Sequence, residues 1–255
     1  MTSSRSVRFL LALLAVFSLV AAACGGDDDD ASDGADDTGT TTTTATPDDA
    51  TPEPTAEPPA GFEGDLTGTF TITAGTCDAT GVSGSWFRMV QPQGSLLDGP
   101  FIENFDSACD DSTYSLLTPG TDGGLTTGAH QPAPDPAFDE RGNGLAAAIV
   151  APVTFFGVDF AVGTDPTLDP VTLTATDGSL TGSTGAFTAY YGGMAFNQGA
   201  PAATPSDSGI TTDPSGTIDP ETGEFVLEWT SGIEGGAFGG FTGVWHLEGV
   251  FTPAG

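Results

Sequence analysis

Lysine is absent from this 255-residue chain, and four arginines stand against 35 acidic residues. Without lysine, neither Schiff-base chemistry nor a lysine general base is available. Nucleic-acid binding needs cations that displace phosphate counterions, and docking on anionic lipid needs a basic patch, so both partner classes are excluded. Residues 61–255 hold 24 of the acidic residues but only Arg88 and Arg141, which leaves a net charge of −22. Such a surface favours solubility and attracts cations.

Histidine is almost as scarce, since the chain contains only His130 and His246. A zinc site with three histidines is therefore excluded, and any Ser-His-Asp triad has to use one of these two residues. The sequence contains no Gly-x-Ser-x-Gly elbow, no His-Glu-x-x-His, no Cys-x-x-Cys and no phosphate-binding loop. These absences favour a protein that is not an enzyme.

Long hydrophobic runs are also lacking. The longest apolar run, residues 9–23, has about 15 residues and is too short for a permanent transmembrane helix. Arg5 and Arg8 precede the run, three alanines end it, and Cys24 follows directly. A basic head, a short apolar middle and small residues at the end are typical of a secretory signal. The cysteine after the alanines resembles the lipobox of bacterial lipoproteins.

The resemblance implies that residues 1–23 are a signal peptide and that Cys24 becomes the acylated mature N-terminus. A diacylglycerol with a further acyl chain such as palmitate gives stable anchoring. The protein is then expected on the outer face of a bacterial cell membrane, with the membrane as a partner through this lipid. The family prefers leucine three residues before the cysteine, where this chain has Ala21. Ala-x-Ala before Cys24 also suits ordinary signal peptidase, so a freely secreted protein is the alternative.

Residues 24–60 are expected to form a disordered tether that begins with the lipidated cysteine. They are rich in aspartate, threonine and proline and have almost nothing apolar to bury. Their like charges repel one another, and their prolines stiffen the chain. Residues 61–255 hold all the tryptophans and tyrosines and predict a single globular domain with its own core.

Two cysteines, Cys77 and Cys109, remain in the domain when Cys24 carries the lipid. In an oxidising compartment, an even number of cysteines predicts a disulfide. This bridge would close a loop of about 30 residues and stabilise the domain by roughly 3 kcal/mol. Two separate buried thiols are the alternative.

Alternation of apolar residues with period two predicts that the domain is all-β. Residues 136–149 are the one candidate for a short helix, and Gly142 and Gly144 argue against it. Such a chain is expected to build an antiparallel β-sandwich or a closed β-barrel. Strands are predicted at residues 66–74, 85–90, 113–117, 171–175, 187–196, 224–231 and 241–251. The most apolar stretch, residues 146–162, is expected to be interrupted at Pro152, so that residues 156–162 form a second strand.

The last two strands predict a hairpin with one buried and one solvated face. Alternation turns Trp229 and Trp245 inward. Glu228, His246 and Glu248 then share the outer face and form a candidate surface cluster. Carboxylates stabilise the imidazolium, so the pKa of His246 is predicted to lie above its free value of about 6.5. The alternative is a neutral His246 tucked under a neighbouring loop.

Two further kinds of chemistry are open to the acidic residues. Paired carboxylates about 5 to 10 Å apart support glycoside hydrolysis, and Glu228, Glu234 and Glu248 lie near tryptophans in the sequence. A plain solvated sheet face is the alternative. A structural calcium would bind carboxylates in turn-rich loops, of which the candidates are Asp106, Asp110, Asp111, Asp135, Asp139, Glu140, Asp165 and Asp169. The alternative to that calcium is that the Asp-Pro pairs, which begin at residues 135, 165, 169, 213 and 219, are simply turns.

Adjacent tyrosines, Tyr190 and Tyr191, are expected to point to opposite faces of a strand. At least one then lies near the surface. This pattern favours an edge of the core with a hydroxyl in water, and a stacking platform for sugar is the alternative.

The sequence therefore predicts a lipid-anchored extracytoplasmic β-domain with a binding or structural role in the cell envelope. Its ligand can be a small molecule, a glycan or a protein. An extracytoplasmic, glycosidase-like hydrolase that uses acidic residues is the alternative. A deep pocket with two close carboxylates would indicate the enzyme, whereas a shallow aromatic groove or an apolar barrel mouth would indicate binding.

Overall fold

The computed structural model describes residues 61–206 and 208–255, which belong to one compact unit. The predicted signal peptide, Cys24 and the rest of the predicted tether lie outside the described residues, so they remain predictions. No helix in the described part is long and apolar enough to cross a membrane.

The described part of the chain is all-β, as the alternation predicts, and its strand pairings are antiparallel. It also contains one 3-10 helix, Gly236–Phe238. The strands are β1 (Gly64–Leu66), β2 (Gly68–Ile72), β3 (Thr76–Asp78), β4 (Gly81–Ser83), β5 (Trp86–Ser95), β6 (Gly99–Phe101), β7 (Ser115–Leu116), β8 (Gly124–Thr126), β9 (Val153–Phe155), β10 (Val158–Thr164), β11 (Thr172–Thr176), β12 (Ser179–Ser183), β13 (Phe187–Tyr191), β14 (Met194–Asn197), β15 (Thr212–Ile218), β16 (Glu224–Gly232) and β17 (Thr242–Pro253).

These strands form a large curled sheet, a small sheet and a separate β3–β4 hairpin. The order of the large sheet is β1-β11-β12-β15-β16-β17-β2-β8. The long strand β17 pairs with β5 through residues 242–246 and with β2 through residues 249–253. Strand β5 in turn carries β6 and β7. The order of the small sheet is β14-β13-β10-β9.

The large sheet curls back on itself through its first two strands. Only Thr67 separates β1 from β2, yet β1 pairs with β11 and β2 pairs with β17, far away in the strand order. The predicted strand 66–74 is therefore wrong in one respect, because it is two strands with a break. Glycine follows the break because a Cβ at Gly68 would lie 2.2 Å from the carbonyl oxygen of Thr252.

Sequence reasoning missed two strands in the middle of the large sheet, β12 and β15. Both are built largely of serine, threonine and glycine, so their hydrophobic alternation is weak. Residues 136–149 contain an isolated bridge between Phe138 and Gly144, in agreement with the argument against a helix.

Two turns change the bounds of predicted strands. Residues 187–196 are the β13–β14 hairpin, because Gly192 and Gly193 adopt positive φ angles of 60° and 78° in its turn. Phe156 and Gly157 form the turn between β9 and β10, so the strand predicted from residue 156 begins at Val158. Phe156 consequently leaves the strand face to which the alternation assigned it.

The core lies between the inner face of the large sheet and the small sheet. Trp229 and Trp245 are paired across β16 and β17, with ring centroids 6.0 Å apart and planes 12° apart. This arrangement confirms the predicted hairpin and its buried face. Phe187 of β13 packs against both indoles at 5.1 and 4.8 Å, and Phe160 of β10 contacts Phe87 of β5 at 5.4 Å. The two sheets therefore pack face to face through aromatic rings.

Cys77 and Cys109 form a disulfide, as predicted, with Cα atoms 5.5 Å apart. Cys77 lies on β3, and Cys109 lies in the loop between β6 and β7. The bridge ties the separate β3–β4 hairpin to a loop that leads back into the large sheet.

Candidate functional site

The predicted surface cluster forms on the outer face of the β16–β17 hairpin. His246 Nδ1 lies 2.6 Å from Glu228 Oε1, and His246 Nε2 lies 2.8 Å from Glu248 Oε1. Trp86 of β5 stacks on the imidazole, with ring centroids 4.8 Å apart and planes 5° apart. The His246 side chain is consequently only 13% exposed, against 57% for Glu228. Because Trp86 of the paired strand β5 covers the imidazole, His246 is neither fully solvated nor buried under a loop.

Both carboxylates favour the protonated form of His246. Burial lowers the pKa of His246, but the hydrogen bonds that it donates to Glu228 and Glu248, and their negative charges, outweigh burial and raise the pKa. The hydrogen bond from His246 is the main cause that lowers the pKa of Glu228. With both ring nitrogens donating, the imidazolium has no lone pair for a proton or a metal ion. While both carboxylates hold the ring, neither nitrogen is free to take a proton from a substrate or to bind a metal ion.

Arg88, which lies near the cluster on β5, is a cation held among aromatic rings. Its guanidinium carbon lies 3.8 Å from the ring centroid of Phe101, 5.1 Å from that of Tyr114 and 5.4 Å from that of Trp86. One Nη donates to the Tyr114 hydroxyl at 3.1 Å, and Nε is buried without a hydrogen-bond partner. Because ring faces attract cations, Arg88 helps to join β5, β6 and the residue before β7.

The cluster is expected to make the stability of the domain depend on pH. Because folding raises the pKa of His246, its stabilising effect is complete below the unfolded pKa of about 6.5 and is lost as the pH rises through the folded pKa. The charges that act on the imidazole are those of Glu228 on β16 and Glu248 on β17, and Arg88 on β5 acts on Glu228. Since Glu228 is largely exposed, we expect the free energy of unfolding, measured by urea titration, to fall by about 1 kcal/mol from pH 5.5 to pH 9.

The matched variants for this measurement are His246→Gln and His130→Gln. His130 donates from Nε2 to the carbonyl oxygen of Leu168 at 2.9 Å, outside the cluster. We expect His246→Gln to remove this pH dependence and His130→Gln to retain it. An NMR titration that finds the pKa of His246 below about 6.5 would contradict the pairing.

The acidic loops that were candidates for calcium contain aspartate turns. Asp111 and Asp165 each accept hydrogen bonds from the backbone N–H and the hydroxyl of the threonine two residues later. Asp139 accepts from the side-chain amide and backbone N–H of Asn143, and the side-chain hydrogen bond is the main cause that lowers the pKa of Asp139. Within residues 61–206 and 208–255, no three acidic, imidazole or thiol side chains come together as a metal site.

Tyr190 and Tyr191 have different surroundings, as expected for adjacent residues on β13. Tyr190 lies beside Phe138, with ring centroids 5.8 Å apart. Tyr191 lines a cavity between the two sheets and donates its hydroxyl to the carbonyl oxygen of Phe155 at 2.9 Å. Burial raises the pKa of Tyr191, and the negative charge of Asp106 raises it further. Both rings are half-buried, which fits an edge of the core.

The sequence did not predict this cavity, which we call the aromatic cavity. It has a volume of about 40 Å³ between the inner face of the large sheet and the small sheet. The large sheet and the end of β16 contribute Phe87, Met89, Ile233 and Trp245. The small sheet contributes Phe155, Phe160, Ala189, Tyr191 and Phe196. Phe238 and Gln198 complete the wall.

Gln198 gives the wall of the aromatic cavity a buried amide. The residue is 2% exposed, and its Oε1 accepts a long hydrogen bond of 3.4 Å from Trp245 Nε1. Its backbone oxygen accepts from Trp229 Nε1 at 2.8 Å. A Cβ on Gly243 would lie 2.2 Å from Gln198 Oε1, so glycine at this position leaves room for the amide. One residue therefore satisfies both buried indole N–H groups.

From Phe238 in the cavity wall, aromatic side chains continue to the surface, and we call this end of the aromatic cavity its mouth. Phe105 is 74% exposed and contacts Phe156 with ring centroids 4.5 Å apart, and Phe156 lies 6.2 Å from Phe238. Phe238 belongs to residues 235–240, which we call the Phe238 turn, and two glycines stand at each end of that turn. Its backbone hydrogen bonds are formed among residues 233–241 themselves. Aromatic contacts therefore hold Phe238 over the cavity.

The chain matches no protein-family model, no curated protein and no solved structure. Its function is therefore inferred from the surface cluster and the aromatic cavity. The available sequence signals for the cavity were the Phe155-Phe156 doublet and the glycine-rich stretch around Phe238.

Proposed function

We propose that this chain is an exported, lipid-anchored β-domain that binds a small apolar molecule in the aromatic cavity. The observation that carries the proposal is the cavity wall, where aromatic and aliphatic side chains of two sheets surround the amide of Gln198. Small-molecule sites are concave and mostly apolar, with a few polar groups that orient the ligand. An apolar mouth of this kind favours a binding domain over a hydrolase.

The volume of the cavity indicates how a ligand enters. A water molecule needs roughly 10–15 Å³, and an apolar cavity of about 150 Å³ takes benzene. The 40 Å³ present is therefore too small for a ring while Phe238 stays in the cavity wall. Glycines on both sides of Phe238 give the turn the backbone freedom to swing outward. The ligand then takes over aromatic contacts that Phe238 makes in the closed state.

The surface cluster does not offer a second, catalytic function. A glycosidase needs one carboxylic acid that protonates the leaving group and a second carboxylate across the sugar. Glu228 and Glu248 instead hold His246 from its two ring nitrogens, and Trp86 covers the imidazole. These contacts join β16, β17 and β5, so the cluster favours a role in holding the sheet together.

Toluene is expected to bind saturably to the purified full chain and to shift the NMR signal of the Met89 methyl group. Met89 is buried in the cavity wall, whereas Met194 is exposed on β14. Met194 Sδ lies 3.6 Å from the position that a Cβ on Gly236 would take in the Phe238 turn, so the Met194 signal reports movement of that turn, whereas the Met89 signal reports the cavity itself. We expect a saturable shift of the Met89 signal and a smaller shift of the Met194 signal.

Two alanine-to-leucine variants provide the matched control. Ala189 lines the cavity, so Ala189→Leu fills it and is expected to abolish the Met89 shift. Ala195 is exposed on β14, so Ala195→Leu adds the same side chain outside the cavity and is expected to preserve the shift. An unchanged Met89 signal in the wild-type protein at high toluene concentration would refute the proposed function.

A further inference from the structure

We infer that the ligand of the aromatic cavity is an apolar cation, whose uncharged body enters the cavity while its positive charge stays at the mouth beside Asp106. This inference rests on the proposed function and adds the charge and chemical class of the ligand. The class comprises amines and quaternary ammonium ions that carry a ring-sized apolar group.

The mouth presents aromatic rings from four separate segments. Phe105 precedes β7, Phe156 lies in the β9–β10 turn, Phe238 lies in its own turn, and Tyr191 ends β13. Neighbouring ring centroids are 4.5 Å apart for Phe105 and Phe156, 6.2 Å for Phe156 and Phe238, and 5.9 Å for Tyr191 and Phe238. The face of an aromatic ring attracts a cation within about 6 Å. A positive charge placed on an exposed ring face, such as that of Phe105, gains this attraction, whereas an uncharged group does not.

Asp106 adds a formal negative charge at the same mouth. It follows Phe105 and is exposed, and its Oδ2 accepts a hydrogen bond of 2.8 Å from the backbone N–H of Gly157. This bond fixes the carboxylate beside the β9–β10 turn. The charge also acts on the cavity wall, because it contributes to the raised pKa of Tyr191. Within residues 61–206 and 208–255, no cationic side chain forms an ion pair with Asp106.

Arg88, His246 and Arg141 do not occupy the position beside Asp106 that is proposed for the charge of the ligand. Arg88 and His246 alternate along their strands with Met89 and Trp245, which line the cavity, so both point to the outer face of the large sheet. Arg141 acts on the aspartate two residues before it. The net charge of −22 on the domain also repels an anionic ligand and attracts a cationic one.

The test compares benzyltrimethylammonium with neopentylbenzene, its uncharged carbon isostere, in titrations that follow the Met89 methyl signal of the full chain. We expect the cation to bind about tenfold more tightly at low salt. Asp106→Asn is expected to weaken binding of the cation several-fold without changing that of neopentylbenzene. Asp177→Asn removes the same charge from the β11–β12 turn and is expected to preserve the ratio. Added salt should weaken binding of the cation alone.

The outcomes separate this inference from the proposed function. Equal affinities for the two isosteres, or a preference for neopentylbenzene, would overturn the cationic class and leave the apolar site in place. If neither compound binds saturably, both the cationic class of the ligand and the proposed function are contradicted. A preference for the cation that is the same in Asp106→Asn as in the wild type would contradict the role of Asp106.

Discussion

Replacing Cys24 by alanine is expected to move the protein from the membrane fraction to the medium. Under the proposed function, the acyl chains on Cys24 hold the protein on the bilayer. A chain without lysine and with a net charge of −22 on its domain has no basic patch to replace them. Two acyl signals give stable anchoring, so their loss should release most of the protein. Cell fractionation with an antibody against the domain measures the distribution.

The control is a variant in which Cys77 and Cys109 are both replaced by alanine. It removes the other two cysteines, and with them the disulfide, without touching the proposed lipid site, so it is expected to stay in the membrane fraction. Mass spectrometry of the N-terminal peptide should find acyl chains on Cys24 in the wild type. Membrane retention of Cys24→Ala would contradict lipid anchoring, and wild-type protein found free in the medium would indicate ordinary secretion.

The β16–β17 hairpin illustrates what local sequence pattern predicts. Successive residues of a strand point to opposite faces, so the positions of Trp229 and Trp245 determine those of Glu228 and His246. The contacts within the cluster follow from this alternation and from the cross-strand pairing of Glu228 with His246. Both were within reach of sequence reasoning because they need only two neighbouring strands.

The stacking of Trp86 on His246 could not be predicted from the alternation of residues along a strand. Trp86 reaches the imidazole because β5 pairs with the first half of β17, although the two strands lie far apart in the chain. Nothing in either strand specifies that partner by period alone. Strands β12 and β15 were not predicted for the same reason. They contain few apolar residues, and pairing with their neighbours in the sheet determines their position.

The aromatic cavity was still harder to predict, because it belongs to two sheets at once. Phe87 and Trp245 come from the large sheet, and Phe155 and Tyr191 come from the small one. From the sequence of its own strand, each of these residues would be interpreted as an ordinary core residue. Only the packing of the sheets leaves space between them, and only the turn after β16 brings Phe238 over that space.

Removing the disulfide by the double substitution Cys77→Ser and Cys109→Ser is expected to lower the free energy of unfolding by about 3 kcal/mol. The bridge joins positions separated by 32 residues and restricts the unfolded chain between them. Urea titrations of the double variant and the wild type measure the difference. Wild-type protein with a reducing agent should match the double variant, because both lack the bridge. Equal stability of the oxidised wild type and the double variant would contradict this role.

The same variant tests whether the disulfide shapes the mouth of the aromatic cavity. The loop of Cys109 also carries Asp106, but buried Asn104 holds this loop through hydrogen bonds to Ser115 Oγ at 3.0 Å and to the carbonyl oxygen of Thr154 at 3.1 Å. Asn104 also accepts a hydrogen bond from the backbone N–H of Asp106. These bonds act in the folded state, whereas the disulfide acts mainly on the unfolded chain. The double variant is therefore expected to keep its preference for benzyltrimethylammonium over neopentylbenzene, and loss of that preference in the folded variant would mean that the bridge itself positions Asp106.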